Sequence, residues 1–126
     1  MASFSSIIDI HAWRSAKELS LGCYALTNQP PLAQDFGLRD QLRRAAVSVM
    51  SNIAEGFGRG GDREFLRFLN IARGSAAEVG SLLHLTIDLH QHLADQTRDL
   101  LDLTDKTILL IARLTDYLTR SIKDSE

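Results

Sequence analysis

Residues 38–75 contain seven arginines, Arg39, Arg43, Arg44, Arg59, Arg63, Arg67 and Arg73, and no lysine. A guanidinium is a flat fork of donors that fits phosphate or carboxylate with two bonds at once, where an ammonium acts as a point charge. Arg59, Arg63 and Arg67 stand at four-residue steps, a spacing able to follow a phosphate backbone. Asp62 and Glu64 lie among them, so the same spacing also fits a solvated, charged helix end. At 100° per residue, Arg44, Ser48, Ser51, Asn52, Glu55 and Arg59 share one side of a helix. Small polar groups are unusual on a solvated helix face, which normally carries Glu and Lys. Two readings remain open for that side. In one, Glu55 and Arg59 form a local pair worth a few tenths of a kcal/mol. In the other, Ser48, Ser51, Asn52 and Glu55, with Gly74, Ser75 and Glu78 further along, line a helix–helix or subunit interface, where a mid-helix glycine marks close packing.

Other candidate chemistry is thinner. His84, Asp88 and His92 recur at four-residue steps and form a possible metal-ligand set, but the Glu-x-x-His pairs of di-iron bundles are missing, and no metal is expected. Gly56-Phe57-Gly58-Arg59-Gly60-Gly61 is rich in glycine, yet a helix pattern precedes it and no Gly-Lys-Ser/Thr follows, so nucleotide binding is not expected. Cys23 has no cysteine partner; it reads as a small buried hydrophobe in a reducing cytoplasm. No Ser, Cys or Thr is matched by a base and an orienting acid. Neither a catalytic site nor a cofactor is expected.

The elements that must position these groups are all helical. Helix 1 is predicted from about Asp9, as N-cap, to Thr27, with Ile10, Trp13, Ala16, Ser20, Cys23 and Tyr24 on its apolar side. Asn28-Gln29-Pro30-Pro31 ends it, because proline lacks an amide donor and forces its predecessor out of the helical region. Helix 2, about 37–58, carries Leu38, Leu42, Ala45, Ala46, Val49, Ile53 and Phe57 on one stripe, and the glycine run stops it. Helix 3, capped by Asp62 and running over about 62–93, has Phe65, Leu69, Ala72, Ala76, Val79, Leu83 and Thr86 in heptad spacing, and a second stripe of Ile71, Leu82, Leu85 and Leu89. Helix 4, about 95–122, also has two stripes: Leu100, Leu103, Leu110, Leu114 and Tyr117, and Leu101, Ile108, Ile111, Leu118 and Ile122. The turn near Leu93-Ala94-Asp95 rests only on a lapse of pattern. Together these give an all-α, antiparallel up-down four-helix bundle in a single domain, 1–126. The apolar surface of helix 3 exceeds what the shorter helix 1 can cover, and two readings stay open: association with further copies of the chain, or antiparallel packing within one copy that hides most of it.

The chain of 126 residues is 44% hydrophobic and 24% charged, with a net charge of −2. That charge is unevenly spread: residues 38–75 hold seven basic and four acidic residues, whereas 76–126 hold five and nine, with Asp95, Asp99, Asp102, Asp105 and Asp116 on helix 4. No apolar run approaches membrane-spanning length, and Met1 to Ser6 lack the basic-then-apolar order of a signal peptide, so no membrane contact is expected.

A family pattern runs from about His11 to the last helix. It comprises Trp13, Ala16, Leu19, Tyr24 and Thr27; Gly37-Leu38, Gln41, Arg43-Arg44-Ala45-Ala46, Ser48 and Ser51-Asn52-Ile53-Ala54-Glu55-Gly56; and Glu64, Phe68-Leu69, Ile71-Ala72, Gly74-Ser75 and Glu78. In these residues the chain resembles the bacterial four-helix-bundle family of proteins encoded in intervening sequences of large-subunit ribosomal RNA genes, a family related to the accessory variability protein of diversity-generating retroelements. The resemblance implies a ring-like homopentamer and, from the retroelement relative, surfaces that engage nucleic acid and a protein partner. Two functions follow as alternatives. The first is a non-enzymatic homo-oligomer binding RNA or DNA through the seven arginines; the second is a protein-interaction scaffold whose arginines are consumed in salt bridges within and between subunits.

Overall fold

The computed structural model describes residues 4–126. The expectation drawn from Met1 to Ser6 therefore falls in part, at Met1, Ala2 and Ser3, outside the described residues. Four helices, α1 (His11–Thr27), α2 (Phe36–Gly58), α3 (Asp62–Leu89) and α4 (Ala94–Ser125), form an antiparallel up-down bundle. Each helix packs on the next, and α1 closes the square against α4. Antiparallel register is visible in pairs such as Ser15 with Thr107 and Ser48 with Ser75.

The heptad stripes of α2 and α3 are the buried ones. Leu38, Leu42, Ala45, Ala46, Val49 and Ile53 meet Phe65, Leu69, Ala72, Ala76, Val79, Leu83 and Thr86 in the core. Phe57 is half-buried, edge-on to Phe65, and the closest approach to α3 is at Gly56. A Cβ at Gly56 would stand 2.8 Å from Phe68 Cβ and 3.3 Å from Phe65 Cα, so the two helices touch where only glycine fits. The chain leaves this hairpin through Gly60, whose φ of 85° suits glycine. Gly74, read from sequence as the mark of close packing, has open space where its Cβ would be; the close approach lies one end further along, at Gly56.

The stripes of α1 and α4 are those expected only in part: Ile10, Ala16, Ser20 and Cys23 are buried from the first and Leu100, Ile111, Leu114 and Leu118 from the second, and the core adds a neighbouring row in each. In α1 the core is built by Ala12, Ala16, Leu19, Cys23 and Leu26, while Tyr24 is 43% exposed. In α4 it is a seam of Thr97, Leu100, Thr104, Thr107, Ile111, Leu114 and Leu118, at three- and four-residue steps. The threonines are tolerated there because Thr97, Thr104 and Thr107 donate their hydroxyls to the carbonyls of Leu93, Leu100 and Leu103 at 2.7–2.8 Å. With the Thr107 proton so used, Ser15 donates across the core to Thr107 Oγ1 at 2.7 Å. Of the leucine rows that dominate the sequence pattern, Leu100, Leu114 and Leu118 belong to this seam while Leu101, Leu103 and Leu110 flank it, and Tyr117 is 44% exposed.

Helix ends differ from expectation for tertiary reasons. Asp9 does not cap α1; its carboxylate accepts the Ser6 amide at 3.1 Å in a short 3-10 turn, Ile7–Asp9, that precedes the helix. Gly61, rather than Asp62, holds the N-cap position of α3, and Asp62 accepts a bond from Ser121 on α4. The α3 helix stops at Leu89 rather than near residue 93, because His90 leaves helical geometry and its buried ring lies with Nε2 3.2 Å from Asp35 Oδ2. With 17 residues against 28, α1 is about 16 Å shorter than α3. The preceding segment makes up part of this, Phe4 packing edge-on against Tyr117.

We expect Gly56→Ala to lower stability by about 1–3 kcal/mol through overpacking, and Gly74→Ala to raise it by up to about 1 kcal/mol through helix propensity. Urea unfolding monitored by circular dichroism checks both; equal effects at the two positions would contradict the α2/α3 packing.

Candidate nucleic-acid interface

The first turns of α2 lie beside the last turn of α1, and this juncture gathers Arg39, Arg43 and Arg44. Arg39 Nη1 donates to the Ala33 carbonyl at 3.0 Å and Nε to Asp40 Oδ1 at 2.9 Å, while its guanidinium lies 4.6 Å from the Phe36 ring centroid. Arg43 reaches across to α1: Nε donates to Thr27 Oγ1 at 2.8 Å, Nη2 to Asn28 Oδ1 at 2.9 Å, and the guanidinium stacks 4.7 Å from the Tyr24 ring. Thr27 is free to accept because its own proton goes to the Cys23 carbonyl. Arg44 is exposed and has no side-chain partner among the described residues. Tyr24, Asp40, Arg43, Arg44 and Val47 line an open groove of about 380 Å³.

The electrostatics of this groove are unbalanced. Three guanidiniums surround the single Asp40 carboxylate, and only Arg39 bonds to it. The hydrogen bond from Arg39, followed by the charges of Arg39, Arg43 and Arg44, holds the Asp40 carboxyl below the usual carboxylate range. Asp40 is therefore ionised at neutral pH and still leaves a net positive charge.

At the far end of α2, about 30 Å away along the axis, the arginines are matched one for one. Arg59 pairs with Glu55 at 3.0 Å, Arg63 with Glu126 at 2.7 Å and Arg67 with Glu64 at 3.3 Å. All three pairs are largely in water, where each contributes about 0–1 kcal/mol. Arg59 and Arg67 also bracket Phe68, with guanidiniums 5.1 and 4.6 Å from its ring. Arg73 lies apart from both groups, beside a groove between α3 and α4 with Asp116, Ala112 and Thr115. The seven arginines thus form two clusters and a single outlier, not one face.

The small polar residues divide too. Ser48 Oγ and Ser75 Oγ are 2.8 Å apart, and Asn52 Nδ2 donates to the Ser48 carbonyl at 2.8 Å and to its hydroxyl at 3.1 Å. This cluster joins α2 to α3 within the chain. Ser51, Glu55, Gly74 and Glu78 remain on the surface. On the same helix as Gly74 and Glu78, Ile71, Leu85 and Leu89 from the second stripe of α3 are 42%, 45% and 58% exposed.

His84 and Asp88 are exposed on α3, but His92 lies beyond the helix end, 3.1 Å from the Pro30 carbonyl, so the four-residue ladder is broken. Among the described residues no three His, Cys, Asp or Glu side chains are grouped to hold a metal. Burial pushes the Cys23 thiol up to about 12, which keeps it protonated and without nucleophilic character at neutral pH. No helix of the described residues is long and apolar enough to cross a membrane.

Sequence reasoning missed Tyr24 and Phe36 as members of the site. Tyr24 falls in an apolar-looking row, and its partner Arg43 comes from another helix. Phe36 carried a local signal, an arginine three residues later on the same helix face.

Comparison with known proteins places this geometry in context. The family model described as 23S rRNA-intervening sequence protein matches residues 8–119. Among solved structures, a Bacteroides thetaiotaomicron protein of the S23 ribosomal protein family, of unknown function and determined at 1.70 Å, superposes with a TM-score of 0.71. It is 22% identical over 82% of this chain and 97% of its own, a likeness that establishes the fold. No curated protein matches the chain. The relation to a retroelement accessory protein rests on the sequence resemblance alone.

Because Arg43 ties α1 to α2 and Arg44 ties nothing, Arg43→Ala should cost about 1–2 kcal/mol of stability through lost charged hydrogen bonds, and Arg44→Ala less than about 0.5 kcal/mol. Thermal melts of the two variants compare them directly; a larger loss at Arg44 would show that the arrangement of the groove is wrong.

Proposed function

The chain belongs to the family of 23S rRNA-intervening sequence proteins, and from that premise we propose that it is a non-enzymatic, homo-oligomeric bundle of the cytoplasm that binds RNA at the α1/α2 groove. The observation that carries this reading is the surplus of positive charge there: three arginines against one carboxylate, with Arg44 unpaired in a protein whose net charge is −2. Phosphate binding by a few guanidiniums releases condensed counterions and is steeply salt-dependent. Arg59, Arg63 and Arg67, each already facing a carboxylate, contribute less, and Arg73 lies on a different side. The family's name refers to ribosomal RNA genes and lends RNA, over DNA, the first place among ligands.

Self-association is proposed through the outer face of α3, where Ile71, Leu85 and Leu89 are exposed and Gly74 and Glu78 lie on the surface of the same helix. Small residues there let a second copy approach closely, and a closed ring, five-membered as the resemblance implies, would cover this side in every subunit. The three matched pairs at the hairpin end favour one further reading, a scaffold that grips a protein partner and uses those arginines as structural charge.

The test is a fluorescence-anisotropy titration of labelled RNA at several salt concentrations, with light scattering for mass. We expect Arg44→Ala to weaken binding and to reduce the slope of log affinity against log salt by about 1, and the triple substitution of Arg59, Arg63 and Arg67 to change the slope less. Leu85→Glu is expected to lower the assembled mass. Absence of binding at low salt would leave the scaffold reading; unchanged mass in Leu85→Glu would remove the outer face of α3 as the subunit contact.

A further inference from the structure

We infer that the α1/α2 groove takes unpaired nucleobases, so that the bound strand is single-stranded or looped where it meets the protein. This rests on the RNA-binding reading above and adds the class of ligand. Two guanidinium–ring stacks stand about one helical turn apart along α2: Arg43 with Tyr24, which line the groove, at 4.7 Å, and Arg39 with Phe36, beyond that lining towards the start of the helix, at 4.6 Å. Both rings lie outside the core, Phe36 61% and Tyr24 43% exposed. The contrast is Phe68, which also has arginines over it but is itself buried and offers no face.

Each ring keeps about half of its surface open beside its guanidinium, and flat surfaces of this kind suit the flat face of a base. The two guanidiniums are held in place by the Ala33 carbonyl and Asp40 in one case and by Thr27 and Asn28 in the other. Their planes are set before any ligand arrives, which lowers the ordering cost of binding.

Asp40 gives the groove a feature that a base can read while its net charge stays positive: Oδ2, with no hydrogen bond to the rest of the described chain, can accept an exocyclic amine of a base. Arg44 at the rim remains for the adjoining phosphate. A paired duplex keeps its bases stacked inside and would engage Arg44 only, leaving both rings bare.

The experiment uses the full chain and three labelled probes of one sequence: a 12-nucleotide RNA, its DNA counterpart and the RNA duplex, titrated at matched salt. Single strands are expected to bind more tightly than duplex. The double variant Tyr24→Leu, Phe36→Leu should lower single-strand affinity roughly tenfold or more and leave the salt slope and the duplex affinity as they were. Tyr24→Phe, which keeps the ring, should bind like the parent. RNA and DNA single strands of equal affinity would assign the contact to the bases, and a preference for RNA would add the 2′-hydroxyl; both agree with the inference. Duplex binding as tight as single strand, unchanged single-strand affinity in the double variant, or equal losses in Tyr24→Phe and Tyr24→Leu would overturn it while the RNA-binding reading stood. No binding of any probe at low salt would overturn both.

Discussion

Where Gly56 meets Phe65 and Phe68, α2 and α3 lie closer than any side chain at that position would permit. This contact, with the Ser48–Ser75 bond two turns away, fixes both the separation and the rotation of the hairpin. Everything outside the core then has a determined direction. The side of α2 next to α1 carries Phe36, Arg39, Asp40 and Arg43; the side turned outward from α3 carries Ser51 and Glu55. A larger residue at Gly56 would wedge the hairpin apart and turn α2 about its axis, moving the arginines that meet Tyr24, Thr27 and Asn28.

The distribution of charge follows from that geometry. At the hairpin end every arginine finds a carboxylate within 3.3 Å, and Glu126, at the end of the last helix, completes the set. At the other end the supply of acid runs short: Asp35 is used by His90 in joining the two loops, and Asp40 alone faces three guanidiniums. The acidic residues Asp99, Asp102, Asp105 and Asp116 are all exposed on α4, which packs chiefly on α1 and α3. Long-range repulsion from α4 is screened beyond about 8–10 Å at physiological salt, so an acidic protein can still present a locally cationic groove. The charge that counts for a polyanion is therefore local to the α1/α2 juncture.

The helices of the hairpin were legible in the sequence because their core positions are filled by Leu, Val, Ile, Phe and Ala at regular spacing. The stripes of α1 and α4 were legible only in part, and the reason is chemical. Threonine at residues 97, 104 and 107 looks like surface, yet each hydroxyl is satisfied by the carbonyl four residues back, leaving only a methyl-bearing side chain to pack. Tyr24 and Tyr117 look like core, yet each lies at a groove edge. The end of α3 was displaced because His90 is held by Asp35, 55 residues away, and local pattern contains no trace of it. At the site, the arginines themselves could be read from their type, and the pairing of Arg39 with Phe36 from its spacing. The bridge from Arg43 to Tyr24, Thr27 and Asn28 depends on how two helices are juxtaposed and appears only in three dimensions.

Whether RNA meets this protein at the α1/α2 groove is read out by photochemical cross-linking. Single-stranded RNA containing 4-thiouridine would be irradiated with the intact protein and the modified residues identified by peptide mass spectrometry. Adducts are expected at Tyr24 and within residues 36–47, lost when unlabelled single strand competes. Adducts confined to the hairpin end around residues 59–67, or to α4, would contradict RNA binding at this groove.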